Sequence, residues 1–185
     1  LSASNGIGSA TSRLTLSAAR LSASTSAGDI DLRALTDTEA SLLSAVKGSV
    51  DILGTGGLTL DQVLAGTATG ASGSFRAVTN NGSIVIGTAD SSGSQTVHAS
   101  QNVTFKSLAT TGNSGDAGNI NVTADNGFIL AQTVTSGGVT TLGSVSAHGS
   151  ATLLAATTVT GNPLAATTGS ALLTAGGGPI NWNVL

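Results

Sequence analysis

Four charged residues make the best case for chemistry: Asp29, Asp31, Arg33 and Asp51. On an extended strand Asp29, Asp31 and Arg33 share one face, because side chains alternate. Asp51 follows Asp31 by twenty residues. Paired carboxylates are what glycoside cleavage requires, one to protonate the leaving oxygen and one to attack or to activate water. The same oxygens suit a hard cation such as Ca²⁺. The plainer reading is a solvated charged face on which Arg33 offsets the repulsion. It is preferred, because a few surface charges are normal and individually weak. The other acids, Asp37, Glu39, Asp61, Asp90, Asp116 and Asp125, are scattered.

Other reactive types fare no better. His98 and His148 stand fifty residues apart in a chain without Cys, and a metal site needs three or four ligands. Each is read as a solvent-facing strand residue. A serine nucleophile needs a base and an orienting acid, and Gly-x-Ser-x-Gly is absent. Gly54-Thr55-Gly56-Gly57 lacks the Gly-Lys-Ser/Thr that cradles phosphate. The Gly-Gly pairs are not followed by the Asp of a Ca²⁺-binding nonapeptide roll. Asn81, Asn102 and Asn121 head N-x-S/T acceptor patterns, read as chance matches in a Ser/Thr-rich chain. The chain is expected to have no catalytic, cofactor or metal site and not to be an enzyme.

The framework holding these residues shows in the composition. Charged residues make up 8% of the 185 and aromatics 2%, where an ordinary domain has about a quarter charged. Mean hydropathy is +0.31 and net charge −3, the reverse of the low hydrophobicity and high charge that keep chains disordered. A core of small aliphatic residues stacks in thin layers better than it fills a globule, which favours a repetitive architecture. Six dispersed basic residues and a pI of 4.9 argue against a nucleic-acid footprint. No run of eighteen apolar residues is available for a spanning helix.

A short unit recurs: Gly28-Asp29-Ile30-Asp31-Leu32, Gly48-Ser49-Val50-Asp51-Ile52 and Gly118-Asn119-Ile120-Asn121-Val122. Apolar residues two apart, bounded by Gly, Asn, Asp and Ser, signal strands of three to five residues. Gly28 to Gly48 and Gly149 to Gly169 both span twenty residues. That period fits one coil of a parallel β-helix, and about nine coils make a rod of about 45 Å. Inward positions stack Leu, Ile, Val and Ala; outward positions stack Ser, Thr and Asn; Gly and Asn turn the corners. Residues 36–46 have a helix-cap pattern but sit in the strand register, and a strand is expected there. Residues 61–74 and 87–117 break the pattern and are expected to be loops. Phe75, Phe105 and Phe128 are expected to plug the core, and Trp182 to cap the last coil.

These residues resemble the repeat region of the filamentous haemagglutinin family, the large exoproteins of two-partner secretion. The resemblance covers roughly residues 12–185. It rests on the twenty-residue, Gly/Ala/Ser/Thr-rich unit with its G-x-[IV]-x-[LV] core. It implies an all-β, right-handed parallel β-helix of about twenty residues per coil. It implies a single segment, 1–185, of a larger exoprotein, secreted or displayed on the bacterial surface. It implies passage through an outer-membrane transporter and adhesion to a glycan or protein receptor on host or bacterial cells, without cofactor or nucleic acid. The isolated segment is expected to stack end to end through open strand layers. The alternatives are a β-helical protein that binds or cleaves polysaccharide, and the stalk of a contact-dependent toxin-delivery protein.

Overall fold

The computed structural model describes residues 1–110, 120–127 and 129, and beyond them only the backbone of the strands. In chain order the strands are β1 Ser2–Ala3, β2 Leu14–Leu16, β3 Arg20–Thr25, β4 Ile30–Ala34, β5 Thr38–Ala45, β6 Val50–Gly54 and β7 Leu58–Ala65. There follow β8 Phe75–Thr79, β9 Ile84–Ser91, β10 Gln95–Ala99, β11 Val103–Thr110, β12 Ile120–Ala124 and β13 Ile129–Ser136, and shorter strands continue to Ile180–Trp182. Every strand pairing is parallel. The chain alternates between two sheets: β1, β3, β5, β7, β9, β11 and β13 lie side by side in the first, and β2, β4, β6, β8, β10 and β12 in the second. No helix occurs among the described residues. Residues 36–46 are accordingly strand, with β5 at their centre.

The twenty-residue period is the pairing register. Ile30 pairs with Val50, and Leu43 pairs with Val63. Leu58 pairs with Ile84 rather than a residue twenty on, because a loop at 66–74 lengthens that circuit. Inward residues form columns along the stack. One runs Leu32, Ile52, Ala77, Val97, Val122, and another runs Leu43, Val63, Ala89, Leu108. All of these are buried. Among the described residues Phe75 and Phe105 are the largest buried side chains, and they plug the core as expected.

Two expectations are corrected. Five strands of the first sheet, β5, β7, β9, β11 and β13, are eight residues long, not three to five. Each is bent: in β7, Leu58 and Leu60 point inward, Asp61 and Gln62 both point outward, and Val63 and Ala65 point inward again. Two successive outward residues turn a corner, so one circuit has three straight runs. The described part of segment 87–117, residues 87–110, is mostly strand, holding the end of β9 and all of β10 and β11. Of segment 61–74, Asp61–Ala65 belongs to β7, and only 66–74 loops out, with Gly66 and Gly70 at positive φ. The expectations for residues 111–117, the side chains of Phe128 and Trp182, and His148 lie outside the described residues.

One aliphatic and aromatic core column is interrupted by an amide. Gln95 occupies the position held by Val50 and Phe75 in earlier circuits and is fully buried. Its Nε2 donates to the Ala89 carbonyl at 3.0 Å and the Ala109 carbonyl at 2.7 Å. Its Oε1 has no partner among the described residues.

Candidate functional site

The acidic face is built by β4 and β6. Both strands alternate inward aliphatics with outward residues, Asp31 and Arg33 on β4 and Asp51 and Leu53 on β6, and their register sets Asp31 beside Asp51. One strand further on, Arg76 of β8 pairs with Asp51. The column Asp31, Asp51, Arg76 is therefore side by side, about 4.8 Å per step.

Asp51 is the hub. Arg76 Nη1 donates to Oδ1 at 3.0 Å, and Arg13 Nη2 donates to Oδ2 at 2.6 Å. The hydrogen bond to Asp51 also raises the Arg13 pKa. Arg33, expected to offset the acids, is exposed at the next outward position of β4 and makes no ion pair among the described residues. Nothing in the period marks Arg13, because it sits in an irregular excursion before β2. Asp29 lies in the turn before β4, where its Oδ1 accepts from the Ser49 amide at 2.7 Å. Asp31, expected to be solvated, is 6% exposed; its amide donates to the Ile7 carbonyl at 2.7 Å, while its carboxyl has no hydrogen-bond or ion-pair partner among the described residues. Burial pushes its carboxyl above the ordinary value, and Asp51 and Asp29 push it further, while Arg13 opposes them.

This geometry predicts unequal arginine effects. Asp51→Asn is expected to cost about 1–3 kcal/mol, because two charge-assisted bonds at a half-buried carboxylate are lost. Arg33→Ala is expected to stay within about 0.5 kcal/mol. Urea unfolding of the two variants checks this. Equal losses would mean that Arg33 holds the face as strongly as Asp51 with Arg13 and Arg76 does.

A second feature is a groove across the first sheet. One part, of 420 Å³, is lined by Asp37, Glu39, Leu58, Thr59 and Val85 among others. A part of 290 Å³ shares Thr59 and Val85 and adds Asp61, Thr104 and Lys106. Its floor is one outward column, Glu39, Thr59, Val85 and Thr104, in register on successive strands. Its acids are partly engaged: Asp37 Oδ1 accepts from the Gly57 amide at 2.7 Å, and Glu39 meets Arg20 at 3.2 Å. Among the described residues no three His, Asp or Glu gather closely enough to hold a metal ion. His98 is half-exposed, with Nε2 3.0 Å from both oxygens of Asp125. Of the N-x-S/T asparagines, Asn81 and Asn121 are exposed and Asn102 is half-buried.

No family model, curated protein or solved structure matches the chain.

Proposed function

We propose that the chain is an adhesive shaft: a right-handed parallel β-helix within a secreted, surface-displayed bacterial exoprotein of the haemagglutinin type. One observation carries the reading. Strand after strand pairs in parallel with its counterpart one circuit away, so the chain lengthens by adding layers and never closes. Such a body is suited to reach. Right-handedness follows from the rule that about 98% of parallel crossovers within a sheet take that hand. An outer-membrane transporter would pass the unfolded chain, and the absence of Cys leaves no disulfide to obstruct threading.

Binding falls to outer faces and to the loop at 66–74, because segment 87–110 is largely strand. The groove of Glu39, Thr59, Val85 and Thr104 is an outward track across four successive strands, and a surface glycan or peptide is its fitting occupant. The polysaccharide-cleaving alternative is weaker. It needs two carboxylates free to act on one bond, yet Asp51 is closed by two guanidinia and Asp31 is buried. The test is adhesion of the purified chain to immobilised glycans and to cells, beside a depolymerisation assay on the same glycans. Retention without cleavage supports the shaft; released oligosaccharide overturns it.

End-to-end association is the expected solution behaviour. At the first layer Leu1 is 56% exposed and Leu14 38%, and Leu16 and Leu21 are half-buried. β1 covers β3 only at Ser24 and Thr25, leaving strand edge open to another copy. A head-to-tail contact does not close, so mass should rise continuously with concentration. Light scattering that stays monomeric into the millimolar range would sink this expectation.

A further inference from the structure

The acidic face is covered by a piece of chain that the stacking does not need. Ile7 pairs with Ile30, and Leu14 pairs with Leu32. Between Ile30 and Leu32 stands one residue, Asp31; between Ile7 and Leu14 stand six, Gly8 to Arg13. This excursion closes on itself. Ser9 and Ser12 exchange backbone hydrogen bonds of 3.0 Å, and Arg13 Nη1 reaches the Ala10 carbonyl at 3.3 Å. Gly8 to Ser12 are exposed and add nothing to the core. The side-chain tether to the body is Arg13 on Asp51. Arg13 is rooted one strand before Asp31, and Asp51 lies one strand after it. The side chain therefore passes over Asp31.

We infer that Gly8–Arg13 is a proton-responsive flap over this face: protonation of Asp31 closes it, and ionisation of Asp31 loosens it. The charged groups facing Asp31 are Asp29 from the preceding turn, Asp51 from β6 and Arg13 from the flap. Arg33 is the next outward residue on its own strand, and Arg76 lies beyond Asp51. Closure takes water from the Asp31 carboxyl and brings only a guanidinium already committed to Asp51. Burial is the largest influence on the carboxyl and the attraction of Arg13 the smallest. An ionised Asp31 thus opposes closure, and a neutral one does not. Each pH unit by which closure lifts the carboxyl is about a tenfold change in the closing equilibrium between the two protonation states.

Protonation of Asp31 favours the folded chain. The folded-state pKa lies above the ordinary 3.8, so the folded chain binds the proton first. The Asp31 contribution to stability rises as pH falls through the raised value and levels off near 3.8. Because the chain lacks Cys, Ala10→Cys gives a single attachment point for a nitroxide on the flap. In the whole chain the label should lose mobility between pH 7 and pH 4. Asp31→Asn should hold it in the less mobile state at both values. Arg13→Gln should leave it mobile at both. Carboxyl NMR of the unsubstituted protein gives the independent reading, with Asp31 titrating above its ordinary value. Equal label mobility at the two pH values overturns the inference, as does a pH response that survives Asp31→Asn. So does an Asp31 carboxyl that titrates at 3.8.

Discussion

Gly73→Ala is expected to cost the fold about 3 kcal/mol, while Gly70→Ala, in the same loop, costs about 1 kcal/mol. The difference is the kind of obstacle each methyl meets. A Cβ on Gly73 would lie within 3.0 Å of the Gly48 carbonyl oxygen and of the Gly66 nitrogen and Cα, all backbone. None of these can swing aside as a side chain would. Gly73 also donates to Ser92 Oγ and accepts from the Gly93 amide, both at 2.8 Å. Gly28, Gly48, Gly73 and Gly93 form a ladder in the turns before successive strands of the second sheet, each crowded by the glycine below it where that neighbour is a ladder member. A methyl there must push two circuits apart. The adjoining bonds, Val50 to the Ser74 carbonyl and Phe75 to the Ser94 carbonyl, hold the same circuits at strand spacing. Gly70 meets nothing within 4 Å, and only its φ of +75° resists a side chain. Gly70→Asn should therefore recover most of that loss, since Asn tolerates the left-handed region. Urea unfolding followed by circular dichroism separates the cases. Equal losses at the two positions would mean that the ladder is not tightly stacked.

The same ladder explains what could be read from the residues alone. The spacing from Gly28 to Gly48 is legible because a turn packed on its neighbour admits no side chain, and the strand that follows repeats its inward aliphatics. Where the rule of alternation holds, as in Ile30, Leu32 and Val50, Ile52, the strands are evident. It breaks at the bends of the first sheet, where Asp61 with Gln62, and Lys106 with Ser107, both point outward. A period-two pattern that slips by one residue resembles irregular chain, so the second half of β9, from Gly87 on, is taken into the stretch read as loop, with β11. β10 is hidden for another reason: its first inward residue is Gln95, which no hydrophobic pattern selects.

The acidic face was half legible for similar reasons. Asp31 beside Asp51 follows from the period. Its cover does not, because Arg13 reaches Asp51 from an excursion that belongs to no repeat, and Arg33, two residues away on the strand, is the wrong partner. Local spacing identifies which residues share a face. It does not reveal what chain is laid over that face.

Gln95→Glu is expected to destabilise the fold at neutral pH by about 3–5 kcal/mol, the range for an uncompensated buried charge. The exchange is nearly isosteric, so packing against Phe75 and Ile120, its register neighbours, is kept. What changes is the end group. The amide donates to the Ala89 and Ala109 carbonyls, whereas a carboxylate presents oxygen to oxygen and brings a charge into the core. Protonation restores one donor and removes the charge. The new acid's folded-state pKa is therefore raised, and the penalty should fade as pH drops through it. Gln95→Leu is the control. It leaves the two carbonyls without that donor but also removes the unpartnered Oε1, for a net cost of about 1–2 kcal/mol without pH dependence. Urea midpoints at pH 7 and pH 4.5 decide the matter. A Gln95→Glu variant as stable as the unsubstituted chain at pH 7 would place the side chain outside the core. In columns of interchangeable Val, Leu and Ile, a circuit has little to prevent it from docking one position out of step. A buried amide that bonds β9 through Ala89 and β11 through Ala109 has one correct neighbour on each side. Its loss should therefore show in the sharpness of unfolding as well as in the midpoint.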